Sequence, residues 1–170
     1  LAGDVVMCEN AAAPGPTMSQ LGATAVRQGR VAGINAAGGY ATFPAVLSAW
    51  ISQVGEIQIA GTGLSKGLAD YYGLQGVEGC AEGLSRARYY PGGTEVIVKL
   101  LAEKESRRIV GAQILGREDI NGKINWLTAA IMKGVTVDEF VSSFENAYCP
   151  PTSMVRDVVC VAAENLMRKL

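Results

Sequence analysis

Apolar positions in this chain recur at two spacings, and the change between them divides it. From Met18 to Ala37 the residues Leu21, Ala25, Ala32 and Ala36 share one helical face, so this stretch is predicted to be a helix despite Gly22, Gly29 and Gly33. Each of those glycines costs a helix about 1 kcal/mol relative to Ala, which points to close packing against it or to a ligand at its amino end. Ahead of it, Leu1-Ala2-Gly3-Asp4-Val5-Val6 reads as the carboxyl end of a strand broken by Gly and Asp, followed by a loop holding Pro14, Gly15 and Pro16.

After Tyr40 to Pro44 the pattern shortens. Val46 to Val54 and Glu56 to Gly61 are expected to be strands, and Ser65 is expected to cap a short helix. Gly76 to Tyr90 reads as a strand region whose glycines should produce a bulge or bend, and Tyr89-Tyr90-Pro91-Gly92-Gly93 as a hairpin corner. Beyond it Val96, Val98, Leu100 and Ala102 alternate with Glu95, Ile97, Lys99 and Leu101, and Arg108 to Gly116 returns with Val110, Ala112 and Ile114 on one face. These runs form an antiparallel meander. Ile120, Ile124, Leu127 and Ile131 then fall at helical spacing up to Gly134, and Thr136-Val137-Asp138-Glu139 is a capping box. A last helix is expected through Asp157, Val161 and Leu166, with Thr152 or Ser153 as its cap. The fold class is therefore α+β: an antiparallel sheet of about four to five strands covered by helices, preceded by one strand and one helix of a different unit. The boundary falls between residues 1–39 and 40–170.

Composition narrows the function. A formal charge of −1 without a basic block argues against a nucleic-acid or acidic-membrane partner. Charged residues make up 18% and hydrophobic ones 49%, yet Gly or polar residues interrupt every apolar run before the roughly 20 residues of a membrane span. The surplus apolar surface is expected to meet protein or cofactor. Cys8, Cys80, Cys149 and Cys160 form no C-x-x-C pair and the chain has no His, so no metal site is expected. With no secretory leader, a cytoplasmic setting with free thiols is expected.

The candidate chemistry sits at Ala147-Tyr148-Cys149-Pro150-Pro151-Thr152-Ser153. Two successive prolines stiffen the backbone and hold Tyr148 at a fixed corner. A phenol with an ordinary pKa of about 10 is a neutral hydrogen-bond donor at pH 7, suited to a thiolate or peroxide leaving group. Nothing cationic adjoins Cys149, which makes a spectator thiol the simpler expectation.

Leu1-Ala2-Gly3-Asp4, with the run from Leu21-Gly22-Ala23 to Gly33-Ile34-Asn35, resembles the second flavin-binding segment of FAD-dependent pyridine nucleotide-disulfide oxidoreductases. The resemblance implies that Gly3 and Asp4 lie against FAD, with the Asp4 carboxylate accepting from the ribityl chain. It also implies that the backbone at Leu21, Gly22 and Ala23 faces the isoalloxazine ring. Thr62-Gly63-Leu64-Ser65, Arg88-Tyr89-Tyr90-Pro91-Gly92-Gly93, Ile109-Val110-Gly111-Ala112-Gln113 and Tyr148-Cys149-Pro150-Pro151 resemble the dimerisation domain of the same family, in its branch of NADH oxidases and coenzyme A-disulfide reductases.

The lack of His sets aside the glutathione reductase branch, whose acid–base residue is a His. What the coenzyme A branch implies is a homodimer in which Tyr148, with Tyr90 or Tyr89, extends into the partner's active site, FAD as cofactor and NAD(P)H as co-substrate. Cys149, where Ala or Ser is familiar, and Thr152, where an aromatic is usual, depart from the pattern and bear on substrate choice. The chain has no G-x-G-x-x-G, no comparable nicotinamide-binding fingerprint and not the redox Cys that the family carries in its first domain, so it is expected to lack the amino-terminal portion of such an enzyme. The alternative is a stand-alone dimerisation module without redox activity.

Overall fold

The computed structural model describes residues 1–170. Its main body is a five-stranded antiparallel sheet of β3 (Trp50–Val54), β4 (Ile57–Gly63), β5 (Gly76–Leu84), β6 (Glu95–Glu103) and β7 (Ile109–Gly116) in the order β3-β4-β7-β6-β5. The meander β5-β6-β7 is as the alternation predicts, and the β3–β4 hairpin adds to its β7 edge. Helices α3 (Ile120–Met132), α4 (Val137–Ser143) and α5 (Val158–Met167) lie on one face. Val96, Val98, Leu100 and Ala102 are fully buried beneath them, joined by Ile124, Leu127 and Ile131 of α3 and Val159, Ala162 and Leu166 of α5.

Leu101, on the face expected to be wetter, is buried too. It belongs to a second cluster with Leu64, Ala69 and Val110 under α2 (Lys66–Tyr71). Alternation alone turns Leu101 to this second cluster; a bulge at Val110, skipped where Leu101 pairs with Gly111 and Ala102 with Ile109, turns Val110 there too and away from the face it was expected to share with Ala112 and Ile114. As expected, Ser65 caps α2, its hydroxyl accepting from the Leu68 amide, and Thr136 and Glu139 form the capping box of α4.

The strand expected over Leu1 to Val6 does not form. That segment turns, with the Val6 amide donating to the Gly3 carbonyl at 3.2 Å and Gly3 at φ +90°, a conformation only Gly adopts at little cost. The first strand is instead β1 (Met7–Glu9), paired with β2 (Pro16–Met18) inside the stretch expected to be a loop. Helix α1 (Gly22–Ala36) ends where expected but begins four residues after Met18, which pairs in β2 instead. This ribbon is tied to the larger sheet's side of the chain where Val46 exchanges backbone bonds with Glu9 and Ala11.

Three further expectations are corrected. Strand β5 ends at Leu84, six residues before Tyr90, and residues 85–94 form a broad loop rather than a tight hairpin corner. No bulge interrupts its pairing with β6. Its glycines serve contact with α5: a Cβ on Gly79 would overlap Leu166 and the Ala162 carbonyl, and one on Gly83 would lie 2.7 Å from Val158. Gly79→Ala is expected to destabilise the fold by about 1–3 kcal/mol in urea unfolding, because α5 must move to admit one methyl. Finally, α5 is capped by Asp157, whose carboxylate accepts from the Val159 amide at 2.9 Å, and not by Thr152 or Ser153. The hydroxyls of Thr152 and Ser153 are engaged by the Cys149 and Ala147 carbonyls. No helix is long and apolar enough to cross a membrane.

Candidate functional site

Two loops at one end of the sheet bring the phenols together. The loop 85–94 carries Tyr89 and Tyr90, and the corner between α4 and α5 carries Tyr148. The Ala87 amide donates to the Pro150 carbonyl at 3.1 Å, joining the two backbones, and the hydroxyls of Tyr89 and Tyr148 lie 2.8 Å apart. Both rings reach solvent, Tyr148 at 40% and Tyr89 at 76% exposure, so the pair is an open edge rather than core. Two hydroxyls in one hydrogen bond use one proton, which leaves a second O–H to aim outward. The hydrogen bond to Tyr89, then partial desolvation and the neighbouring Tyr89 and Cys149, hold the Tyr148 phenol above its ordinary value. Tyr148 thus stays a neutral donor well past pH 7.

Tyr90 is half-exposed and its hydroxyl has no partner in the chain; its amide closes the loop onto the Ala87 carbonyl at 2.8 Å. Cys149 is exposed, with its amide held by Ser153 Oγ at 3.3 Å. That serine also donates to the Ala147 carbonyl at 3.1 Å, so the corner is locked by its own side chain as well as by its prolines.

The residues singled out at the amino end gather separately. Gly3 and Asp4 lie on the first turn, and the Gly3 amide donates to Gln28 Oε1 at 2.7 Å. Gln28, buried, also donates to Cys8 Sγ at 2.9 Å, which pins this turn and β1 to α1. The Asp4 carboxylate is exposed and takes no hydrogen bond within the chain. Leu21 stands at the N-cap of α1 without a capping side chain, and the amides of Gly22 and Ala23 find no acceptor. A free carboxylate beside a turn and an uncapped, exposed helix start are donors and acceptors left open for another molecule. No hydrogen bond joins this group to the phenol pair within the chain.

Other residues at the site gave no signal in the sequence. Arg86 donates to Glu118 through Nε at 3.0 Å and Nη2 at 2.5 Å, and Ser85 donates to the same carboxylate. The Arg86 hydrogen bond holds Glu118 below the usual carboxylate range against some desolvation. Lys123, 6% exposed, sits 2.5 Å from Asp157 and 3.1 Å from Asp119. Burial alone would lower its pKa, but the two carboxylates outweigh it and raise it. Arg86–Glu118 and Lys123–Asp157 stand 32 and 34 positions apart, beyond any local spacing rule, whereas Asp119 is only four positions before Lys123.

A five-stranded antiparallel sheet covered on one face by α3, α4 and α5 defines an α+β domain. Residues 52–157 match the family profile described as pyridine nucleotide-disulphide oxidoreductase, dimerisation domain, and the chain belongs to that family. It is 42% identical over 154 residues to an NADH oxidase of Methanocaldococcus jannaschii, covering 91% of this chain and 34% of the relative. An NAD(P)H coenzyme A polysulfide/persulfide reductase of Pyrococcus horikoshii is 34% identical, covering 82% of this chain and 31% of the relative. The solved structure of an NAD-dependent persulfide reductase from A. fulgidus superposes with a TM-score of 0.91 at 34% identity, covering 99% of this chain and 31% of that one. The chain therefore spans about a third of the length of these relatives.

Proposed function

We propose that this chain is the carboxyl-terminal portion of a flavoprotein that uses NAD(P)H and FAD to reduce a disulfide, such as coenzyme A disulfide, or oxygen. In this reading residues 1–39 complete an FAD-binding domain begun upstream, and 40–170 form the dimerisation domain of a homodimer. The observation that carries it is the Tyr89–Tyr148 hydroxyl pair, 2.8 Å apart and facing solvent, on the domain that meets a second subunit. The names of the relatives, an NADH oxidase and coenzyme A-dependent reductases, support the substrate class.

The residues present fit FAD. The unpartnered Asp4 carboxylate would accept from a ribityl hydroxyl, and the free amides of Gly22 and Ala23 would donate to an electronegative edge of the ring. FAD, when bound, supplies hydride acceptance from NAD(P)H and electron delivery to the acceptor. The net change for a disulfide is one NAD(P)H and one proton consumed for two thiols formed. Tyr148 donates a hydrogen bond to the sulfur that leaves as thiolate and keeps its own proton, since a thiolate of pKa about 8.5 is too weak a base to take it. Tyr89 orients that hydroxyl.

The test is purification of the full-length protein. A yellow dimer that oxidises NADH or NADPH with coenzyme A disulfide, polysulfide or oxygen is expected; a colourless protein, or one inactive with all three, overturns the reading. Asp4→Ala is expected to weaken FAD binding by about 10- to 100-fold, the worth of a charge-assisted hydrogen bond, as measured by flavin fluorescence during titration.

A further inference from the structure

The loop bearing Tyr89 and the corner bearing Tyr148 are far apart in sequence, yet both are fastened to one short piece of backbone. Glu118, in the connection from β7 to α3, takes Arg86 by both Nε and Nη2 and accepts from Ser85 as well. Ser85 in turn closes the base of the tyrosine loop, since its amide donates to the Thr94 carbonyl at 2.8 Å and the Thr94 amide donates to its hydroxyl at 2.9 Å. Arg86 stands three residues before Tyr89.

Five residues beyond Glu118, Lys123 grips the other arm through Asp157, whose second oxygen caps α5 just behind the Tyr148 corner. Asp119, in the left-handed region at φ +59°, turns the chain between these two anchors; its carbonyl accepts from the Lys123 amide and its carboxylate from the Lys123 ammonium. Away from this segment, the arms are joined by the Ala87–Pro150 backbone bond and by the phenols themselves.

We propose that the segment from Glu118 to Lys123 is the positioning base of the phenol pair, with Arg86 and Asp157 as its two arms. It rests on the reading of Tyr89 and Tyr148 as the reactive phenols. The Arg86–Glu118 side chains are about 30% exposed, where an ion pair contributes little to stability, so its two-pronged geometry is better accounted for by orientation than by strength. A hydroxyl pair at 2.8 Å is lost when either arm moves by about 1 Å. Arg86, Glu118, Asp119, Lys123 and Asp157 are positioning residues acting through Tyr148.

The experiment uses the full-length protein labelled with carbon-13 at the tyrosine ζ position, with the Tyr148 resonance assigned by its loss in Tyr148→Phe. Wild type is expected to titrate at Tyr148 above an ordinary phenol, and Tyr89→Phe to lower that midpoint. Arg86→Met and, separately, Asp157→Asn should lower it in the same direction; Asn keeps an acceptor for the Val159 amide, and Arg86→Met serves if Asp157→Asn does not fold. Activity supplies a second arm. Arg86→Met is expected to lower kcat on the disulfide by about 10-fold in the wild type but to change it less than 2-fold in a Tyr148→Phe background.

A Tyr148 midpoint unchanged in both folded variants overturns the proposal, as does an equal loss of kcat in both backgrounds. The titration needs no turnover, so its result stands even if the enzyme proves inactive with disulfides and the functional reading fails.

Discussion

Tyr148→Phe in the full-length protein is expected, on the function proposed above, to lower kcat on a disulfide acceptor by about 10²-fold, with FAD content and dimer mass unchanged. The substitution removes one oxygen and leaves the ring, and Tyr148 is 40% exposed, so stability should move by less than about 0.5 kcal/mol. On the proposed mechanism, what disappears is the donor to the charge that develops on sulfur. Tyr89→Phe should cost less, because Tyr148 keeps its own hydroxyl and loses only the partner that orients it.

The pH profile separates the two. The donor works only while neutral, and the Tyr89 bond raises the pKa of Tyr148, so the tyrosine-dependent rate should persist past the ordinary phenol value and decline above it. Removing Tyr89 should move that alkaline limb to lower pH. A Tyr148→Phe enzyme with unaltered kcat on coenzyme A disulfide, polysulfide and oxygen would exclude the role.

The sequence singled out Tyr89, Tyr90 and Tyr148 as candidates, but not the contact between Tyr89 and Tyr148. A proline corner announces itself locally, whereas the bond from Tyr148 to Tyr89 spans 59 positions and depends on how two loops dock. The same distinction runs through the fold. The β5-β6-β7 meander, α3 and the α4 capping box were readable because alternation, helical spacing and cap chemistry act within a few residues.

The β1–β2 ribbon was not, since strands of three residues carry no period and are fixed by pairing Met7 with Met18. Gly79 and Gly83 were visible as exceptions but were assigned a bulge, when their cause is the helix α5 pressing on them from far along the chain. Thr152 and Ser153 have the right chemistry for a cap. Their hydroxyls are spent inside the corner, and Asp157 takes the position with one oxygen while the other accepts from Lys123. Lys123 was not singled out: Asp119 stands four positions before it, but Lys123 occupies an inward position of α3, and the contact with Asp157 that permits a charge there is set by the fold.

Lys123→Met is accordingly expected to be among the most destabilising single changes in the chain, at about 3–5 kcal/mol in urea unfolding at pH 7. Met retains most of the aliphatic stem, so the cost is electrostatic: Asp157, 7% exposed, is left as a buried carboxylate with only the Val159 amide for company. By contrast, Lys66→Met breaks a pair with Asp70 whose side chains are 49% and 58% exposed, and should change stability by less than about 0.5 kcal/mol. The pH dependence follows from the direction of the Lys123 shift. Its folded pKa is raised above the unfolded one, so the stabilisation is fully present below the ordinary lysine value and is lost as pH rises through the folded value. The gap between wild type and Lys123→Met should therefore stay level from pH 7 to 9 and narrow only in strong alkali. A gap that closes between pH 7 and 9 would mean that this lysine is not held as a cation by Asp157 and Asp119.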